Sequence, residues 1–148
     1  MTKKKWQLTA IASAVCIVAL GIGAFCYWQF RFKPWFIFEK TVYGNRRHLL
    51  GAISDFTMHK GRLPVDLREI VQEGYLPERS PVYQCPSLHN SLRDVPIPYT
   101  ECEYDIQFEP NRVIVSLPRT VIDRYGLGKE QAHLIKSGVD DKGHVFDP

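Results

Sequence analysis

The chain has 148 residues, 45% of them apolar and 24% charged. That length holds one domain of ordinary size, and the composition excludes a collagenous, low-complexity or disordered chain. Four cysteines are too few for a disulfide-dense miniprotein, and the net charge of +3 conceals an asymmetry. Residues 1–63 carry ten Lys and Arg against Glu39 and Asp55, whereas residues 64–148 carry nine against fourteen Asp and Glu. The acidic distal part argues against a nucleic-acid partner, because a phosphate binder needs a clustered basic face. A basic stretch beside a membrane suits anionic headgroups, so membrane lipid is the expected neighbour.

Trp6 to Phe30 is a run of 25 residues without a charged side chain, and about 20 suffice to cross the ~30 Å hydrocarbon core as a helix. Lys3, Lys4 and Lys5 precede it, and Arg31 and Lys33 follow. Trp6 at one end and Tyr27 with Trp28 at the other suit the two headgroup layers. The run exceeds the roughly 7–15-residue core of a signal peptide, which favours a retained anchor over a cleaved leader. The compact lysine cluster favours an N-terminus inside, with the distal domain outside the cytoplasm. Gly21 and Gly23, like Ala10 and Ala14, would let another helix approach closely; the alternative is that they only fill an apolar span.

Residues 1–33 therefore read as a basic leader and transmembrane helix, and residues 34–148 as an extracytoplasmic α+β domain. Pro34 predicts a bend, through which the following helix continues the membrane helix. From Trp35 to Lys60, apolar residues recur at helical spacing, with Val42, Leu49 and Phe56 seven apart and Ile53 on the same side. These four are the expected helix-to-sheet core, with Arg46, Arg47, Asp55 and Lys60 facing water. Gly61 and Pro64 end the helix. A short helix follows, capped by Asp66 and carrying Leu67, Ile70 and Val71 inward. Prolines at 81, 86, 96 and 98 make the next stretch mostly loop, with one short strand at Val82–Gln84.

The period then changes. Tyr104–Phe108 and Arg112–Leu117 alternate around Pro110-Asn111, a hairpin pattern. Residues 119–130 stay ambiguous. His133–Ser137 reads as a third strand, Asp140–Gly143 as a turn and His144–Phe146 as a final strand. The short connections make the sheet antiparallel, and the amphipathic helix is the element available to cover one face.

No motif of established chemistry is present: there is no phosphate-binding Gly loop, HExxH, CxxC or GxSxG. His48, His59, His89, His133 and His144 are scattered without ligand spacing. Ser137, Asp140 and His144 invite comparison with a triad, but closeness in one turn is poor support for it. Asp140, Asp141 and Asp147 are weak calcium candidates, since hard cations want several carboxylates, although a solvated turn explains the same residues. Cys85 and Cys102, with sixteen residues between them, are disulfide candidates in an oxidising compartment. Such a bond would close a loop worth about 3 kcal/mol; the alternative is two buried thiols. No enzyme, no cofactor and no small-molecule substrate is evident.

One resemblance follows from the order of parts. A basic leader and apolar helix run into an amphipathic helix, then His59-Lys-Gly-Arg-Leu-Pro64, then Asp66-Leu-Arg-Glu-Ile-Val-Gln-Glu-Gly-Tyr-Leu-Pro77, and finally a small sheet ending in Lys136-Ser-Gly-Val-Asp-Asp-Lys-Gly143. This resembles the type IV pilin and type II secretion pseudopilin family. The resemblance implies a pilin-like fold, no enzymatic activity, and other pilin-like subunits or secretion-system proteins as partners. It also implies a single pass through a bacterial inner membrane, with the head on the periplasmic or outer side. The family's calcium loop would fall on Asp140 and Asp141. The chain departs from the family in lacking the Gly or Ala of a prepilin cleavage site and the Glu inside the apolar helix. The other reading is a lone anchored binding module outside the cytoplasm, with aromatics on the Tyr83–Tyr99 loop as contacts.

Overall fold

The structure, a computed structural model, describes residues 3–87 and 95–147, leaving aside the side chains of 3–5 and 7–9. His89 and the middle of the Tyr83–Tyr99 loop lie outside the described residues. The chain forms two units, Met1–Ile37 and Phe38–Pro148.

In the first unit, helix α1 (Lys3–Tyr27) is followed by a π-turn at Trp28–Phe32 and by the start of helix α2 (Lys33–Lys60). Every described side chain of α1 is exposed. The apolar stretch is long enough to cross a membrane. The helix continues past Pro34, as the sequence leads one to expect, because the preceding turn widens. Proline has no N–H, and its ring crowds the carbonyl four residues back. Here the Lys33 N–H donates to the Trp28 carbonyl, five residues back, so the helix passes the proline through a π-turn. Trp28 stacks on Phe32 at 4.7 Å, and Phe32 on Phe36 at 6.2 Å.

The second unit, the head, is built on the rest of α2. Phe38, Val42, Arg46, Leu49, Ile53 and Phe56 follow each other by three or four residues and are all 0–1% exposed. The expected core quartet of Val42, Leu49, Ile53 and Phe56 is thus entirely buried, each side chain worth about 1.5–3 kcal/mol in transfer from water. Arg46 corrects the expectation that it faces water. Gly61, at φ +67°, ends α2 by donating its N–H to the Thr57 carbonyl at 2.8 Å.

Helix α3 (Leu67–Gln72) is capped as expected: Asp66 accepts the Glu69 N–H at 2.8 Å. Two short strands, β1 (Arg79–Ser80) and β2 (Ile97–Pro98), pair antiparallel. The strand expected at Val82–Gln84 is instead a 3-10 turn over Pro81–Tyr83. Pro81 presets the first helical φ, and the Ser80 hydroxyl accepts the Val82 N–H at 3.2 Å.

The main sheet is a four-stranded antiparallel meander of β3 (Asp105–Glu109), β4 (Arg112–Ser116), β5 (Lys136–Asp140) and β6 (Val145–Phe146). The β3–β4 hairpin turns at Pro110-Asn111, with Glu109 opposite Arg112. Residues 119–130, ambiguous in sequence, hold helix α4 (Arg119–Tyr125) and most of a 3-10 turn (Lys129–Gln131), and α5 (Ala132–Ile135) follows. The third strand therefore starts at Lys136 rather than His133. A short apolar run fits either element, and here the turn of helix buries Leu134 alone. Val113, Val115 and Val139 point into the core, with Val113 opposite Val139 and Val115 opposite Ser137.

The β5–β6 turn sits directly on α2. The Ser54 hydroxyl donates to the Gly143 carbonyl at 2.6 Å in a buried bond. Gly143 has φ +85°, and a Cβ there would stand 2.7 Å from Met58 Cγ and 3.2 Å from the Ser54 carbonyl. Ser54→Ala is expected to lower head stability by about 1 kcal/mol, the net worth of one hydrogen bond. Gly143→Ala should cost at least as much, roughly 1–3 kcal/mol, through its positive φ and the contact with α2. Both act on one contact, so denaturant unfolding of the double variant should show less than the additive loss.

Candidate functional site

The head carries its unusual chemistry on the buried side of α2. The Arg46 guanidinium is 1% exposed. Its Nη2 donates to the His133 carbonyl, which ties α2 to α5. Its Nη1 is buried and has no hydrogen-bond partner among the described residues. Burial pulls the guanidinium below its ordinary value, and the Asp147 carboxylate opposes that pull. Asp147 also accepts the hydroxyl proton of Ser137 from the inner face of β5. A cavity of about 340 Å³ opens between these groups, bounded by Tyr43, Arg46, Arg47, Leu50, Val145 and Asp147. Sequence reading missed this cluster. The signal was present: Arg46 lies four residues after Val42 and three before Leu49, on the core stripe itself.

The cysteine pair is brought together but not joined. Cys85 and Cys102 are both free thiols, so the structure gives no disulfide between them. The Glu103 N–H donates to the Tyr83 carbonyl at 2.8 Å, and the Cys85 N–H to Glu103 Oε2 at 2.7 Å, so the two segments lie side by side. Burial pushes the Cys85 thiol up to about 12, with Glu103 and Cys102 adding to it, and burial raises Cys102 as well. Both thiols are held protonated, the opposite of a reactive cysteine.

The acidic turn is closed on itself. Asp140 accepts the backbone N–H of His144 at 2.7 Å and of Lys142 at 3.0 Å, and stands 3.2 Å from His144 Nδ1. These donors, the His144 amide first, hold its carboxyl below the usual range. Asp140, Asp141 and Asp147 do not converge: among the described residues no three His, Cys, Asp or Glu side chains stand close enough to hold one ion. The calcium expectation is corrected accordingly. No triad forms either, since Ser137 donates to Asp147 while His144 meets Asp140. His133 stands 3.5 Å from Glu39, and His59 faces the Tyr75 ring at 5.9 Å.

On the anchor, a Cβ at Gly21 or Gly23 would meet nothing within 4 Å. Cys16 and Cys26, on the same helix, are exposed.

In reduced protein, Cys85 and Cys102 should resist iodoacetamide between about pH 8 and 10, where an ordinary thiol of pKa about 8.5 ionises; peptide mapping assigns each site. The sign for stability follows from the same shift. Above about pH 8.5 the unfolded chain loses the Cys85 proton that the folded head keeps until about pH 12, so stability falls as pH rises through that window. Cys85→Val should flatten the early part of the decline in an unfolding titration.

Set against protein families, characterised proteins and solved structures, the chain matches none.

Proposed function

We propose that the chain is a single-pass, membrane-anchored, pilin-like protein that works by docking rather than catalysis. In this reading it is a subunit or accessory of a type II secretion or type IV pilus-like assembly. Its anchor lies in a bacterial inner membrane and its head on the periplasmic or outer side. One observation carries the reading: an apolar helix that buries none of its described side chains precedes a helix whose inner face is the core of a small antiparallel meander. The first helix needs lipid or other helices as its environment. The second holds the head on the same polypeptide segment. The order of parts is what the pilin resemblance rests on.

Gly21 and Gly23 are the close-approach positions for a neighbouring subunit, with lipid covering the rest of the anchor. An oxidised Cys85–Cys102 pair belongs to the same proposal, since it would pin the loop beside α4 in an oxidising compartment. A lone anchored binding module is the second reading. It is favoured by the absence of a Glu from the Trp6–Phe30 run, because a buried carboxylate is what would register one pilin helix against the next.

The exposed thiols of the anchor provide the assay. Mild oxidation of native membranes should link neighbouring copies through Cys16 or Cys26, and Gly21→Leu should abolish that product while leaving the unfolding of the head unchanged. An identical cross-linking pattern in the variant would sink the helix-association proposal. No cross-linked species in the parent protein, together with a monomer in detergent, would leave the binding module as the better reading.

A further inference from the structure

Strand β3 is an open edge of the meander. β4 is its neighbour on one side, and among the described residues no strand lies on the other. The register decides which of its backbone groups face out. Leu117 donates its N–H to the Ile135 carbonyl at 2.8 Å, so β4 bonds to β5 through its odd-numbered residues and to β3 through its even-numbered ones. The ladder bonds of β3 therefore fall on Asp105, Gln107 and Glu109, opposite Ser116, Ile114 and Arg112. The N–H and C=O groups of Ile106 and Phe108 point away from β4 and have no hydrogen-bond partner among the described residues. Their side chains share the core face with Val115 and Val113, yet they stay half-buried while those valines are fully buried. The other face of β3 carries Asp105, Gln107 and Glu109. From Glu101 to Glu109 the chain has four carboxylates and no Lys or Arg. Glu109 pairs with Arg112 at 2.6 Å, whereas Asp105 forms no ion pair among the described residues. Lys136, in the same row as Asp105, is two strands away across Ser116.

We propose that this edge takes up an extended segment of a partner protein, antiparallel to β3, with basic side chains opposite Asp105 and Glu109 and apolar ones opposite Ile106 and Phe108. An added strand satisfies the outward backbone groups by exchanging both bonds at each of the two apolar positions. Its apolar side chains cover what the sheet leaves half open, and its cations meet the carboxylates in cross-strand pairs. Charge selects the occupant. A second copy of this chain, in the antiparallel register that pairs all five residues, sets Asp105 against Glu109 at both ends, and like charges directly opposite are destabilising. The carboxylates that bar self-pairing thus favour a basic strand. The edge lies within the head, so the proposal stands whether or not the anchor assembles.

The test uses full-length, isotopically labelled protein in zwitterionic detergent, with hydrogen exchange followed at single amides by NMR. In the free protein the Ile106 and Phe108 amides should exchange quickly and that of Gln107 slowly. The peptide N-acetyl-Thr-Lys-Val-Thr-Val-Lys-Thr-amide should slow Ile106 and Phe108 by roughly tenfold or more at saturation. The same peptide N-methylated at both valines should leave them unchanged, because it cannot donate to the edge. A version with glutamate in place of both lysines should bind more weakly than the lysine peptide. Asp105→Lys should weaken the lysine peptide by roughly fivefold, within the range of a reversed cross-strand charge pair, and should improve binding of the glutamate peptide. If that variant fails to fold, as judged by circular dichroism, the N-methylated and glutamate peptides decide. Slow exchange of Ile106 and Phe108 in the free protein would show the edge already covered, by this chain or a second copy, and would overturn the proposal. Protection by the N-methylated peptide, equal binding of the lysine and glutamate peptides, or no saturable effect of the lysine peptide at millimolar concentration would overturn it as well.

Discussion

The head depends on a single face of α2. Phe38, Val42, Leu49, Ile53 and Phe56 supply most of the helix's apolar burial, and among the described residues of the head no other long helix is present to cover the meander of β3 to β6. Two polar contacts fix how that face is seated. Ser54 holds the β5–β6 turn, and Arg46 holds the chain at His133, just before β5 begins. The two contacts lie eight residues apart on the helix, a rise of about 12 Å. Together they define both the depth and the register of the sheet against the helix, which apolar contacts alone leave loose. Gly138 adds a further constraint, since a Cβ there would lie 2.5 Å from the Phe146 ring and 2.9 Å from the Val113 carbonyl.

This arrangement explains what was legible in the sequence. The 3.6-residue spacing of Val42, Leu49, Ile53 and Phe56 encodes burial directly, and the Pro110-Asn111 hairpin and the Asp66 cap are local chemistry with local consequences. The errors have equally physical origins. Arg46 was assigned to water by its charge although its position placed it in the core, because sequence periodicity and residue polarity were in conflict there. Residues 132–135 and 81–83 are too short for a period to separate strand from helix, so tertiary packing of Leu134 and the geometry of Pro81 decided them. Pro34 signals strain correctly, and the strain is absorbed as a π-turn. The cavity is illegible in the sequence because its lining residues Ser137 and Asp147 stand 91 and 101 residues from Arg46 in the chain, and nothing local announces such a meeting.

Anchor and head present different kinds of surface. The described side chains of α1 are exposed and almost all apolar, and a Cβ at Gly21 or Gly23 would meet nothing within 4 Å. The head buries its apolar side chains against α2 and leaves most of its charged residues exposed. The pilin-like proposal and the binding-module reading differ in which part carries the specificity.

The two half-buried thiols also bear on how the protein is made. Thiol–disulfide exchange proceeds through a thiolate, and burial leaves Cys85 and Cys102 almost none of it at neutral pH. Once the head has closed, a reduced pair attacks an oxidant slowly, so formation of a bond between them would be easiest while the chain is still folding.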